Sequence, residues 1–218
     1  MDWSAPVSQY CERTDASFWA EPFNAATNAA FLIAAAAAFL MWRRAGGRDY
    51  PALTLIVVVV AVGLGSFTFH TVATRGAAFA DVIPIAIFIY GYLLLALRRF
   101  LHLSPVGAFA IVVAYAAVAQ TLPLLVAPGT LNGSAGYLPA LVAMIGVALG
   151  TSGAPRRGLA VAAAIFTLSL ALRTIDRAAC AEIPLGTHFL WHLLNAGVLY
   201  LLLRTAINST ERKFDPTR

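Results

Sequence analysis

Residues 53–71 read Leu53-Thr-Leu-Ile-Val-Val-Val-Val-Ala-Val-Gly-Leu-Gly-Ser66-Phe-Thr-Phe-His70-Thr71, and their reading decides the fold. The stretch carries no formal charge and has one polar side chain, Thr54, before Ser66. About 20 such residues in a helix cross the ~30 Å hydrocarbon core of a bilayer. The rest of the chain is no more polar. Of 218 residues, 60% are hydrophobic and 11% charged, with a mean hydropathy of +0.78. A soluble domain has roughly 25% charged residues, so these are too few to clothe a surface facing water. Working outward, further apolar runs lie at 24–42, 80–97, 105–126, 136–152, 158–175 and 186–203. The expectation is an all-α integral membrane bundle of seven transmembrane helices over 24–204, with a polar N-terminal segment at 1–23 and a tail at 205–218. Pro123 in the fourth run and the glycines of the fifth make those two boundaries the least regular.

Charge sets the expected orientation. Arg43, Arg44, Arg48, Arg98, Arg99, Arg156, Arg157, Arg204, Arg212, Lys213 and Arg218 fall on one side of the spans, and Arg13, Arg75, Arg173 and Arg177 on the other. Basic residues accumulate in cytoplasmic loops, so the N-terminus is expected outside and the C-terminus inside. The tail at 205–218 is then an inner tail. The net charge of +5 has the same explanation. It forms no basic patch interleaved with aromatics, so no nucleic-acid partner is expected. Residues 1–23 lack an apolar signal-peptide core, and the first span is expected to direct insertion. Arginine outnumbers lysine fourteen to one and alanine is abundant. That bias is typical of GC-rich genomes, and a bacterial inner membrane is the expected location.

Ionisable groups inside spans are functional candidates. Ser66 and His70 share one face at the outer end of the second span. Asp81 opens the third span at the same depth. His188 and His192, in His-x-x-x-His spacing, open the seventh. Three imidazoles with an open fourth position are a catalytic zinc set, and zinc brings the pKa of its water to about 7. Asp81 is the candidate proton carrier, and Ser66 the candidate for holding that water or the developing oxyanion. Each residue alone has a plainer explanation. A membrane histidine bonds a neighbouring helix, Ser66 packs helices, and Asp81 caps its helix or pairs with Arg173 or Arg177. A closed structural zinc with Asp81 as fourth ligand, in a receptor-like protein, is the non-enzymatic alternative. His102 is expected to be a solvated loop residue. A retinal protein would need a lysine in a span, and the single lysine is Lys213. Cys11 and Cys180 both fall outside by this topology. A disulfide between them, or two free thiols, is expected.

The series Gly65-Ser66-Phe67-Thr68-Phe69-His70, Asp81 eleven residues later, and His188-Phe-Leu-Trp-His192 resembles the alkaline ceramidases. These belong to a wider superfamily of seven-helix metal hydrolases that includes the adiponectin receptors. Tyr10-Cys11-Glu12-Arg13, Trp19-Ala-Glu21-Pro-Phe-Asn24 and Thr27-Asn28 are similar too, and the resemblance covers roughly residues 9–205. It implies zinc on His70, His188 and His192, with Ser66 and Asp81 beside the zinc-bound water. The implied reaction is hydrolysis of the N-acyl bond of a ceramide-like lipid near the outer, periplasmic leaflet. An esterase or phospholipase acting on glycerolipids uses the same ligands and is the alternative. The resemblance also implies a calcium site in the N-terminal segment, which would here draw on Glu12, Asp15 and Glu21. Gln9, Tyr10 and Thr14 depart from that calcium pattern. Without calcium, Glu21, Asn24 and Asn28 would be packing groups on one helix face.

Overall fold

The computed structural model of the protein describes residues 2–127 and 129–214. Among them the regular structure is helical, apart from one isolated bridge between Pro6 and Thr74. The α-helices are α1 (Pro22–Thr27), α2 (Ala29–Arg44), α3 (Tyr50–Val72), α4 (Arg75–Arg99), α5 (Pro105–Thr121), α6 (Leu138–Gly150), α7 (Gly153–Ile175) and α8 (His188–Phe214). Six stretches are long and apolar enough to cross a membrane: Pro22–Arg44, Tyr50–Val72, Arg75–Arg99, Thr130–Gly150, Gly153–Ile175 and His188–Ser209. At ~1.5 Å per residue α5 is about 25 Å long. It passes into a 3-10 turn, Leu122–Leu124, in which Pro123 cannot donate an amide to continue the helix.

Helix ends follow local chemistry. Asp49 accepts a hydrogen bond from the Ala52 amide and so caps α3; it also pairs with Arg99 at 2.7 Å, fastening the start of α3 to the end of α4. Thr74 caps α4 by accepting from the Ala77 amide, so that helix starts at Arg75. Asp81, expected to open the span, therefore stands in its second turn. The stretch preceding α6 is a 3-10 segment, Thr130–Tyr137, broken by left-handed backbone at Leu131, Asn132 and Gly133. The expected inner tail is helix as far as Phe214, because nothing after 203 interrupts α8. Residues 215–218 of that tail, with Arg218, lie outside the described residues.

α3 packs along α4, α7 along α8, and α2 lies between α3 and α8. The shared core includes Ala38, Val59, Phe88, Ala162, Leu203 and Ala206. Small residues permit the close contacts: a Cβ at Gly65 would overlap the carbonyl oxygen of Ala80. α5 is peripheral and buries only Ala108. The outward faces are apolar too, with Ile33, Val57, Val106, Val142 and Leu168 all exposed. A continuous apolar exterior suits a lipid surround.

The N-terminal segment is built onto this bundle. Val7 donates to the Ala73 carbonyl, and the Arg75 and Gly76 amides donate to Ala5 and Trp3. A Cys11–Cys180 disulfide then ties it to the stretch before α8.

Candidate metal centre

His70 lies in the last turn of α3, and His188 and His192 are one turn apart at the start of α8. One ring nitrogen from each lies within 4.8 Å of the others, and all three side chains are buried. The centre is buried, so unpaired polar atoms there are costly. Nevertheless His70 Nε2 and His188 Nδ1 are buried without a hydrogen-bond partner. A divalent ion among the three rings would satisfy them, and the donor set fits zinc.

The rings are held from behind. His70 Nδ1 lies 2.6 Å from Glu21 Oε2. Burial alone would raise the Glu21 carboxyl, but the hydrogen bonds from His70, Arg13 and Asn24 hold it below its ordinary range. An ionised carboxylate only accepts, so Nδ1 carries the proton and Nε2 faces the centre with a free lone pair. His192 Nδ1 lies 2.9 Å from Thr27 Oγ1, whose own hydroxyl is directed at the carbonyls of Phe23 and Asn24. The Thr27 oxygen therefore accepts from His192, and Nε2 is again left for the centre. His188 is placed by its backbone. Buried Asp176 accepts from the amides of Thr187 and His188 at 2.7 and 2.9 Å and caps α8, and it accepts from Cys11 as well. Gly186 makes this possible: its φ is +68°, and a Cβ there would overlap Asp176 Oδ1. Tyr10, from the N-terminal segment, stacks on the His188 ring with centroids 3.5 Å apart.

Ser66 and Asp81 meet beside the trio. The close approach of α3 and α4 at Gly65 brings the Asp81 carboxylate beside the Ser66 hydroxyl and near His70. Asp81 Oδ1 is buried and unpartnered. Asp81 is not among the groups that could share an ion with the three histidines. Among the described residues it forms no ion pair with Arg173 or Arg177.

The carboxylates expected to bind calcium are not gathered at one point. Among the described residues the histidine trio is the one group of three or more metal-ligating side chains. Glu12 accepts from the amides of Phe23 and Asn24 and caps α1. Asp15 accepts from Ser17 at the surface. Glu21 is buried between His70 and Arg13, whose guanidinium also donates to the carbonyls of Asp15, Ser17 and His70. A fixed positive charge thus stands on Glu21, and this arrangement does not fit a calcium ion. Glu21, Asn24 and Asn28 do form one buried face: Asn24 bonds Glu21, and Asn28 bonds the Asn24 carbonyl.

Sequence reasoning passed over Thr27 as a partner of His192, Asp176 as the cap of α8 and Tyr10 as a lid, and took Arg173 only as a possible partner of Asp81. Arg173 is buried and donates to the Asn132 carbonyl, Ser134 and Tyr10, with its guanidinium over the Tyr137 and Trp191 rings. An arginine in the last turn of an apolar run was the available signal for it. Below the centre an apolar cavity of about 100 Å³ is lined by Phe31, Tyr137, Met144, Trp191, Asn195 and Leu199. The Phe31 ring stands edge-on to His192 at 6.4 Å. Compared with known proteins, the chain matches no protein-family model and no curated protein.

Proposed function

We propose that the protein is a zinc-dependent intramembrane hydrolase that cleaves the N-acyl amide bond of a ceramide-like lipid, releasing a sphingoid base and a fatty acid. The observation that carries this reading is the division of roles at the centre. Three buried imidazoles gather at one point, two of them with an unpaired nitrogen, while Asp81 Oδ1 stands unpaired and outside their ligand group. A structural zinc is closed by four protein ligands; here Asp81, the carboxylate expected as a fourth, is not among the groups that could share an ion with the three histidines. A zinc ion bound there would polarise the scissile carbonyl and lower the pKa of water. Asp81 takes the proton of the attacking water at Oδ1 and returns it to the amide nitrogen as the C–N bond breaks. The carbonyl carbon gains the hydroxyl and the nitrogen gains the hydrogen. Ser66 keeps the carboxylate oriented for both transfers. The apolar cavity beside Trp191 and Phe31 receives part of the acyl chain. The amide bond and the sphingoid base rest on the resemblance to the alkaline ceramidases.

In this reading α5, extended by the turn at Leu122–Leu124, is a seventh span. The N-terminus is outside, the C-terminus inside, and the centre lies at the outer leaflet.

The test is made on protein purified in mild detergent, wild type beside His188→Ala. About one zinc per chain, lost in the variant, is expected by elemental analysis, with fatty acid and free amine released from an N-acyl sphingoid lipid. Fatty acid released only from a glycerolipid would replace the amide by an ester. Wild type that stays metal-free after incubation with zinc would end the hydrolase reading.

A further inference from the structure

The histidines occupy one end of the bundle, where α3 ends and α4 and α8 begin. At the opposite end lies a second and larger cavity of about 820 Å³. Its walls are the end of α4 with the following loop, the α6–α7 turn, and the last turns of α8 within the described residues. Two close contacts hold these walls. A Cβ at Gly158 would overlap Thr205 Oγ1, so α7 and α8 meet at the cavity floor. Gly150 lies against Leu101, bringing the α6 end to the loop.

The lining has a definite chemistry. Arg99, His102, Arg157 and Arg204 all line the cavity, and no Asp or Glu of residues 2–127 and 129–209 is among its lining residues. Arg99 is committed to Asp49 and to the Ala206 carbonyl. Arg157 and Arg204 come from different helices and are exposed, and neither has a hydrogen-bond or ion-pair partner among the described residues. His102 joins them from a left-handed backbone position, φ +54°, that few side chains adopt without a tertiary reason. Two exposed guanidiniums across one cavity, with no carboxylate of residues 2–127 and 129–209 paired to them, invite a bidentate anion such as a phosphate. The remaining wall is apolar, with Phe100, Val161 and Leu201. Val161 is half-exposed, so apolar surface adjoins the basic residues in the same cavity.

From this juxtaposition we infer that the end of the bundle opposite the histidines is a binding site for the phosphate headgroup of an anionic phospholipid, with Arg157 and Arg204 on the phosphate and Val161 against the adjoining chain. A soluble phosphate shares the arginines but has no use for the apolar wall. Basic pockets between membrane helices are suited to anionic headgroups. The inference is independent of the reaction at the histidine centre.

Native mass spectrometry of the full chain released from detergent tests it. Phosphatidylglycerol is titrated against phosphatidylcholine and against inorganic phosphate. One phosphatidylglycerol is expected to remain bound in preference to phosphatidylcholine. Arg157→Gln and Arg204→Gln should each weaken it about fivefold, from ~1 kcal/mol per basic residue near the headgroups. Ser152→Glu, which places a carboxylate on the exposed rim, should weaken it as well, and Arg44→Gln, outside the cavity, should not. A melting temperature unchanged from wild type shows that each variant is folded. Equal retention of both lipids, or of phosphatidylglycerol by wild type and the double arginine variant, overturns the site. Displacement of the lipid by millimolar inorganic phosphate overturns the lipid assignment.

Discussion

At Glu21 one carboxylate meets three donors: one oxygen takes Arg13, and the other takes His70 and the Asn24 amide. It holds the tautomer that frees His70 Nε2. Partners of this kind behind a metal ligand are worth about 10–100-fold in metal affinity. Glu21→Gln should therefore lower zinc affinity by about that factor, measured by competition with a chelator, because the amide no longer enforces the Nδ1 proton. Asp81 sits on the other side of the division. Asp81→Ala should retain zinc and lose turnover by about 10²–10⁴, the usual contribution of a positioned acid–base group. Normal turnover in that variant would remove Asp81 from the reaction.

Between elements, the decisive contact is the α3–α4 approach at Gly65. It brings two helix backbones together one turn from His70 and so sets the distance from Ser66 to Asp81. A valine at this position would push α4 away. Overpacking of a tight contact costs about 1–3 kcal/mol, and the shift falls directly on the Asp81 carboxylate. Gly65→Val should keep its zinc, since His70, His188 and His192 lie on α3 and α8, yet lose turnover together with a modest fall in melting temperature. Loss of zinc with retained turnover would contradict that order. The N-terminal segment acts as an element as well. The Cys11–Cys180 disulfide and the Ala5–Arg75 backbone pairing hold Tyr10 over His188, covering the centre from outside.

For the molecule as a whole, the proposed seven spans and orientation have a direct test. Ser4 and Ser152 are exposed at opposite ends of the chain's first five apolar rods. With the N-terminus outside and α5 crossing the membrane, Ser4→Cys in intact cells should react with a membrane-impermeant maleimide, and Ser152→Cys only after permeabilisation. Labelling of both from one side would mean that α5 does not cross. Labelling of Ser152→Cys alone would reverse the orientation.

The helical, apolar character of the chain was legible in the sequence because a bilayer demands long uncharged runs, and such runs are visible residue by residue. The histidine trio was legible because i, i+4 spacing fixes His188 and His192 on one face, and His70 ends another long run. Helix boundaries were less so: a cap such as Thr74 extends α4 before its apolar run begins, and Pro123 shortens α5. What surrounds the histidines was decided only by tertiary structure. Glu21, Thr27 and Tyr10 reach the centre from 49, 165 and 178 residues away in sequence from the histidine each contacts, whereas Asp176 lies 12 residues before His188. No periodicity records such pairings. They arise because the disulfide, the Gly65 contact and the cap at Asp176 fold distant polar groups into one low-dielectric centre, where each must find a partner.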